Sequence, residues 1–211
     1  MFDFAASEDW IFGYGSLMWN PGFSPIEKRP ALLYGYHRRF CIYSHSYRGT
    51  PECPGLVLGL DRGGACRGVA FRLPRRGRHK VLQYLWEREM TNNIYTPRRV
   101  SVMLLDAGRP MRVEARAFVV NRDHERYTGE LSVDRTARLI LQGVGGRGRC
   151  FDYLANTVRH MEELGIAEGP LHELLRRVER MSAAPVGRRR MTGQAKSVAR
   201  SRPAAGRQRS V

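Results

Sequence analysis

Trp10-Ile11-Phe12-Gly13-Tyr14-Gly15-Ser16-Leu17-Met18 is the stretch on which the fold reading turns. Its first half is β-branched and aromatic, the composition of a strand, and it runs straight into two glycines one residue apart. A strand that ends this way can aim backbone N–H groups into a concavity that holds an anion or a polarised carbonyl. It can equally be a plain glycine turn closing an edge strand. The nearest formal comparison is the dinucleotide-binding fingerprint, but Met18 stands where its third glycine belongs. Trp19-Asn20-Pro21-Gly22 is turn chemistry, not the opening of a helix.

Outward from this stretch the chain reads as short strands. Leu32 to Tyr43 is aromatic-rich and extended, and Gly55 to Leu60 and Cys66 to Leu73 are two further runs. Asp61-Arg62-Gly63-Gly64 between them predicts a turn. The period then changes, and His79 to Met90 fits a helix. Two more strands are expected at Arg99 to Asp106 and Arg112 to Val120, joined by a turn at Gly108-Arg109-Pro110. The last third is helical. Ser132 is placed to cap a helix running to about Gln142. Phe151, Leu154, Val158, Met161 and Leu164 recur at helical spacing, with Gly165 as the stop. Pro170 opens a final helix reaching about Met181. The glycine-rich run Gly143 to Gly148 reads as a flexible loop between two helices. Strands, one helix, strands and then helices make an α+β chain, because consecutive strands lack intervening helices.

The helix over 79–90 carries an acid on its apolar face. At about 100° per residue, with Val81 at 0°, Leu85 falls near 40°, Leu82 near 100° and Trp86 near 140°. Glu89 falls near 80°, inside that stripe, while Glu87 falls near 240°, toward solvent. A carboxylate among apolar groups is desolvated, which raises its pKa toward the range useful to a general base. Alternatively, Glu89 pairs with an arginine, or the helix frays near Thr91-Asn92-Asn93 and lets it reach water. Arg48, in the Gly/Pro loop Tyr47 to Gly55, is either a clamp for a substrate carboxylate or a solvated surface charge.

Composition bounds the rest. The chain has 211 residues, 42% hydrophobic, with 36 basic and 20 acidic side chains and a net charge of +16. Half of that net charge lies in residues 182–211, which hold eight basic residues and no acid. This segment lacks the large apolar groups that ordering requires, so a folded unit over 1–181 and a disordered basic tail over 182–211 are expected. Such a tail can attract polyanions in a salt-sensitive, sequence-blind way, but it has no aromatics to stack bases and no reading motif. A non-catalytic polyanion binder is therefore the competing reading, and specific nucleic-acid recognition is not expected. No window approaches a membrane span, and Met1-Phe2-Asp3-Phe4 lacks the features of a signal peptide. Cys41, Cys53, Cys66 and Cys150 form no CxxC pair, and the six histidines show no ligand spacing. Reduced thiols in a cytoplasmic protein, with no metal and no cofactor, are the expectation.

At three places the residues resemble a known family. Gly13-Tyr14-Gly15-Ser16-Leu17, then Arg48-Gly49-Thr50-Pro51-Glu52 with Pro54-Gly55, then Tyr84-Leu85-Trp86-Glu87-Arg88-Glu89, are similar to the ChaC family of γ-glutamylcyclotransferases. The similarity continues through Tyr95, the Ala117 to Arg122 strand end, Tyr127, Gly129 and the Phe151 to Gly165 helix, covering roughly residues 9–181. The resemblance implies a mixed sheet curled into a small barrel with helices packed outside. It implies that a γ-glutamyl compound, glutathione or else another γ-glutamyl peptide or γ-glutamylamine, is converted to 5-oxoproline and the free amine. It further implies that Tyr14, Gly15, Ser16 and Leu17 hold the γ-glutamyl group and that Glu89 is the acid/base. Phe118 departs from the pattern: a tyrosine is expected there, so a hydroxyl that could touch substrate is missing.

Overall fold

The computed structural model of the chain describes residues 10–90, 92–105, 110–167 and 169–183. Its first strand, β1 (Trp10–Gly13), alternates Trp10, Phe12 and then Tyr14 to one side with Ile11 to the other. That period of two divides the molecule into two cores. Trp10, Phe12 and Tyr14 join a cluster whose members other than Tyr14 all lie on strands, Leu33, Leu60, Val102, Ala117 and Val119 among them. Ile11 belongs to a second cluster that includes Leu85, Leu154, Met161 and Leu174 from the helices. The first cluster fills the inside of a barrel, and the second glues the helices to its outer wall.

The barrel is closed and has the order β1-β3-β2-β4-β5. Its other strands are β2 (Glu27–Ser44), β3 (Gly55–Arg72), β4 (Tyr95–Leu104) and β5 (Met111–Val120). Antiparallel ladders join β1 to β3, β3 to β2, β2 to β4 and β4 to β5. A parallel pairing of Trp10 with Ala115 and Ile11 with Arg116 closes the ring, so the sheet is mixed. The α+β class and the small barrel both stand.

Two strand expectations need correction. Residues 61–64 are not a hairpin turn, because β3 runs unbroken for 18 residues against β2. Gly63 and Gly64, at φ 103° and 66°, form a bulge where the pairing shifts between Tyr34 and Tyr36. A bulge and a turn ask for the same positive-φ residues, and only the partner strand distinguishes them. β4 begins at Tyr95, four residues before the expected Arg99, and contains Pro97. The proline is tolerated because that half of β4 has β5 on one side and no ladder to β2 on the other. The turn expected at Gly108-Arg109-Pro110 lies largely outside the described residues.

The helices follow the periodic readings closely. They are α1 (Arg78–Glu89), α2 (Val133–Gln142), α3 (Cys150–Glu163) and α4 (Gly169–Ala183). The Ser132 side chain caps α2 by accepting from the Arg135 N–H. α3 stops just before Gly165. α4 runs two residues past Met181, so Ser182 and Ala183 belong to the folded unit; the remainder of the expected tail, 184–211, lies outside the described residues. The glycine-rich run 143–148 is not a loose loop. It forms a two-stranded hairpin, β6 (Val144–Gly145) and β7 (Gly148–Arg149). The N–H groups of Gly146 and Arg147 donate to the carbonyls of Ser46 and Tyr47, at 2.8 and 3.0 Å, which fastens the hairpin to the loop after β2.

Candidate active site

Beyond β1 the backbone turns through Gly15 into a single 3-10 turn, Ser16–Met18. The Met18 N–H bonds the Gly15 carbonyl at 2.9 Å and the Asn20 N–H bonds the Ser16 carbonyl at 2.8 Å. Leu17 and Met18 point into the helix-side core and hold the turn down. The leading N–H groups of such a turn have no partner within it. Here that end of the turn lines a cleft together with Leu58, Glu89, Tyr95, Phe118 and Tyr153.

The α1 face is as the periodicity predicts. Leu82 and Leu85 are buried, and Glu87 is exposed and accepts from Gln83 Nε2. The Glu89 side chain is 17% exposed and ends in the cleft. Burial pushes its carboxyl above the ordinary glutamate pKa, an effect that neighbouring Arg88 only partly reverses. The Arg88 Nε lies 3.2 Å from Glu89 Oε1, so the arginine pairing left open by the sequence is present alongside the burial.

Three tyrosines complete the walls. Tyr14 comes from the end of β1, Tyr95 from the start of β4 and Tyr153 from α3. The Tyr95 hydroxyl donates to the Leu58 carbonyl at 2.7 Å, and the Leu58 backbone also hydrogen-bonds Tyr153. Burial pushes all three phenols up, so each stays protonated at neutral pH. The result is a desolvated carboxylate able to accept and return a proton, facing backbone donors and neutral hydroxyls. Phe118, 3% exposed, lines the cleft with an apolar ring where the resemblance leads one to expect a hydroxyl. Among the described residues no group of three or more His, Cys, Asp and Glu side chains gathers as a metal site would.

The structure brings Tyr14, Gly15, Ser16, Leu17 and Glu89 together across more than seventy residues of sequence. It does not bring Arg48 to them. The Arg48 Nη1 donates to the Arg147 carbonyl and, at 3.4 Å, to the Arg149 carbonyl. Its guanidinium lies 4.9 Å from the centre of the Tyr153 ring. Arg48 therefore packs against Tyr153, a wall of the cleft, and ties the β6–β7 hairpin to it, without itself lining the cleft beside Glu89. Its acceptors are carbonyls about a hundred residues away, which no local pattern reveals. Tyr95 and Tyr153 were missed as site residues for the same reason: each reads locally as a half-buried core tyrosine.

Known proteins resemble this chain over most of its length. A glutathione-specific γ-glutamylcyclotransferase of Escherichia coli K12 is 37% identical over 174 residues, covering 82% of this chain and 74% of that protein. The human glutathione-specific γ-glutamylcyclotransferase 1 is 33% identical over 159 residues, covering 74% of this chain and 71% of its own. A crystal structure of the yeast glutathione-specific enzyme superposes with a TM-score of 0.74 at 24% identity, over 82% of this chain and 96% of the other, and so shares the fold. The ChaC-like protein profile matches residues 9–181, and the chain belongs to that family.

Proposed function

We propose that the chain is a γ-glutamylcyclotransferase acting on glutathione. The observation that carries the reading is one cleft in which a buried carboxylate, Glu89, faces the Tyr14–Leu17 loop. The names of its similar proteins point to glutathione as substrate. In the reaction the substrate supplies its own nucleophile. Glu89 takes a proton from the α-ammonium, and the freed amine attacks the γ-carbonyl carbon to close a five-membered ring. The carbonyl oxygen takes up negative charge, which backbone N–H groups of the loop stabilise. Protonated Glu89 then returns its proton to the departing nitrogen as the old C–N bond breaks. The ring nitrogen, still cationic, passes its second proton through the freed Glu89 carboxylate to the released amine, leaving 5-oxoproline and the Cys-Gly ammonium. No water is consumed, so the enzyme's tasks are folding the glutamyl chain into a near-attack geometry and relaying protons from the attacking nitrogen to the departing one.

The neutral tyrosines serve as uncharged hydrogen-bond donors around the glutamyl group, and Phe118 leaves one place on that wall apolar. We assign the protein to the cytoplasm. All four cysteines are free, in keeping with a reducing compartment. No helix among the described residues is long and apolar enough to cross a membrane. The test is incubation of the purified protein with glutathione while 5-oxoproline, Cys-Gly and free glutamate are quantified together. Equal amounts of 5-oxoproline and Cys-Gly are expected. Glutamate in place of 5-oxoproline would mean hydrolysis and overturn the reading.

A further inference from the structure

Arg88 directly precedes Glu89 on α1, and its guanidinium reaches three separate parts of the site. Its Nη2 donates to Ser16 Oγ at 2.8 Å, within the glycine loop. Its Nη1 donates to the Asn20 carbonyl at 2.8 Å, reaches the Pro21 carbonyl at 3.5 Å, and contacts the Tyr84 hydroxyl at 3.0 Å. Its Nε lies 3.2 Å from Glu89 Oε1. An exposed surface arginine typically meets one carboxylate and contributes little. This one is 21% exposed and spans groups about seventy residues apart in the chain. A second feature joins the same two segments. Gly22, at φ 75°, lies where any Cβ would collide with the Tyr84 ring and hydroxyl, so the turn after the loop closes down on the Tyr84–Arg88 face of α1.

We propose that Arg88 is a positioning residue that fixes the Tyr14–Leu17 loop against the helix carrying Glu89, and so sets the distance between the γ-glutamyl cradle and the proton-relaying carboxylate. The inference rests on the cyclotransferase reading above. Its physical basis is the planar fork of the guanidinium, which presents five donors in fixed directions; a lysine ammonium is a point charge on a flexible stem and cannot span these acceptors together. The groups around Glu89 are Arg88 on α1, Tyr14 at the end of β1, Tyr95 on β4 and Tyr153 on α3. The tyrosines are neutral, so Arg88 supplies the positive charge. Arg88→Lys keeps the charge and loses the span, whereas Arg88→Met loses both.

The test measures kcat and KM for glutathione against pH, melting temperature, and hydrogen exchange of the 15–21 backbone, in wild type and both variants. Misplacement by about 1 Å costs on the order of 10²-fold. Arg88→Lys should therefore lose roughly 10- to 100-fold in kcat per folded molecule, with the acid limb of the pH profile unmoved. Arg88→Met should lose at least as much, with its acid limb displaced to higher pH because Glu89 has lost its positive neighbour. Exchange over 15–21 should quicken in both variants while β3 stays protected. A kcat for Arg88→Lys within about twofold of wild type overturns the proposal. So does a kcat loss with unchanged exchange, or a lower melting temperature with unchanged turnover per folded molecule. If the wild type makes no 5-oxoproline, the cyclotransferase reading fails on its own account. Exchange then decides the remaining claim: faster exchange over 15–21 upholds the link between loop and helix, and unchanged exchange overturns it.

Discussion

Replacing Glu89 by glutamine should separate the proposed proton relay from structure at this site. Glutamine has the same shape, and its side-chain oxygen can still accept from Arg88 Nε, which lies 3.2 Å from Glu89 Oε1. The loop–helix geometry should therefore persist, and the loss should be that of the proton acceptor alone. General acid–base catalysis contributes about 10²–10⁴-fold, or roughly 3–5 kcal/mol at about 1.4 kcal/mol per tenfold. The sign of the stability effect is opposite. Because burial raises the Glu89 pKa above its unfolded value, the folded protein binds this proton more tightly than the unfolded chain does. Stability therefore declines as pH rises from the unfolded pKa through the raised folded one. At neutral pH the buried charge is a net cost, and Glu89→Gln should melt no lower than wild type. Glu87→Gln is the control on the opposite face, where the side chain is exposed and touches Gln83. The assay is 5-oxoproline release at saturating glutathione with parallel thermal melts. The wild-type pH profile should lose activity as pH falls through the raised Glu89 pKa. Equal losses at positions 87 and 89, or a Glu89→Gln enzyme keeping more than about a tenth of wild-type kcat, would refute the assignment of the relay to Glu89.

Arg48→Ala should lower the melting temperature, since hydrogen bonds from a charged donor contribute about 1.5–3 kcal/mol and this one holds the β6–β7 hairpin. A raised KM at unchanged melting temperature would return Arg48 to the substrate. Asp61 is buried in β3, accepting from Arg122 Nε at 2.7 Å and the Tyr127 hydroxyl at 2.8 Å. Burial alone would raise its pKa, but these bonds and the Arg62 N–H hold it below the usual carboxylate range. Its stabilisation is therefore present above the unfolded pKa and lost as pH falls through the lower folded one. Asp61→Asn should cost about 1.5–3 kcal/mol in denaturant melts at pH 7, a low figure for a buried pair because Arg122 remains 44% exposed. A loss under about 0.5 kcal/mol would contradict the assigned role of this network. Truncation after Ala183 should leave melting temperature and turnover unchanged and move heparin elution to lower salt, because it removes eight positive charges and no large aromatic or leucine side chain. A large loss of either property would show that the tail packs on the folded unit.

How much of this was legible depended on whether a residue's role is set by its neighbours in the chain or by distant ones. The strand at Trp10, the cap at Ser132 and the phase of α1 are local matters, and pattern alone placed them. The bulge at Gly63-Gly64 reads as a turn because its residue chemistry is that of a turn, and its identity lies in the register with β2. The hairpin over 144–149 reads as a loose loop in the sequence because what orders it is the carbonyls of Ser46 and Tyr47. The contacts of Arg48 are hidden in the same way: a solitary arginine in a Gly/Pro loop looks available until its acceptors at Arg147 and Arg149 are seen. Glu89 was legible for a different reason. It breaks the rule its own helix otherwise obeys, a carboxylate where the apolar stripe asks for a hydrophobe, and such local violations concentrate at functional sites. Tyr95 and Tyr153 break no rule, since a tyrosine fits a half-buried strand or helix position on packing grounds alone. A site residue is therefore visible in a single sequence when its chemistry conflicts with its place in the pattern. It is hidden when the two agree, however close it lies to the reacting atoms.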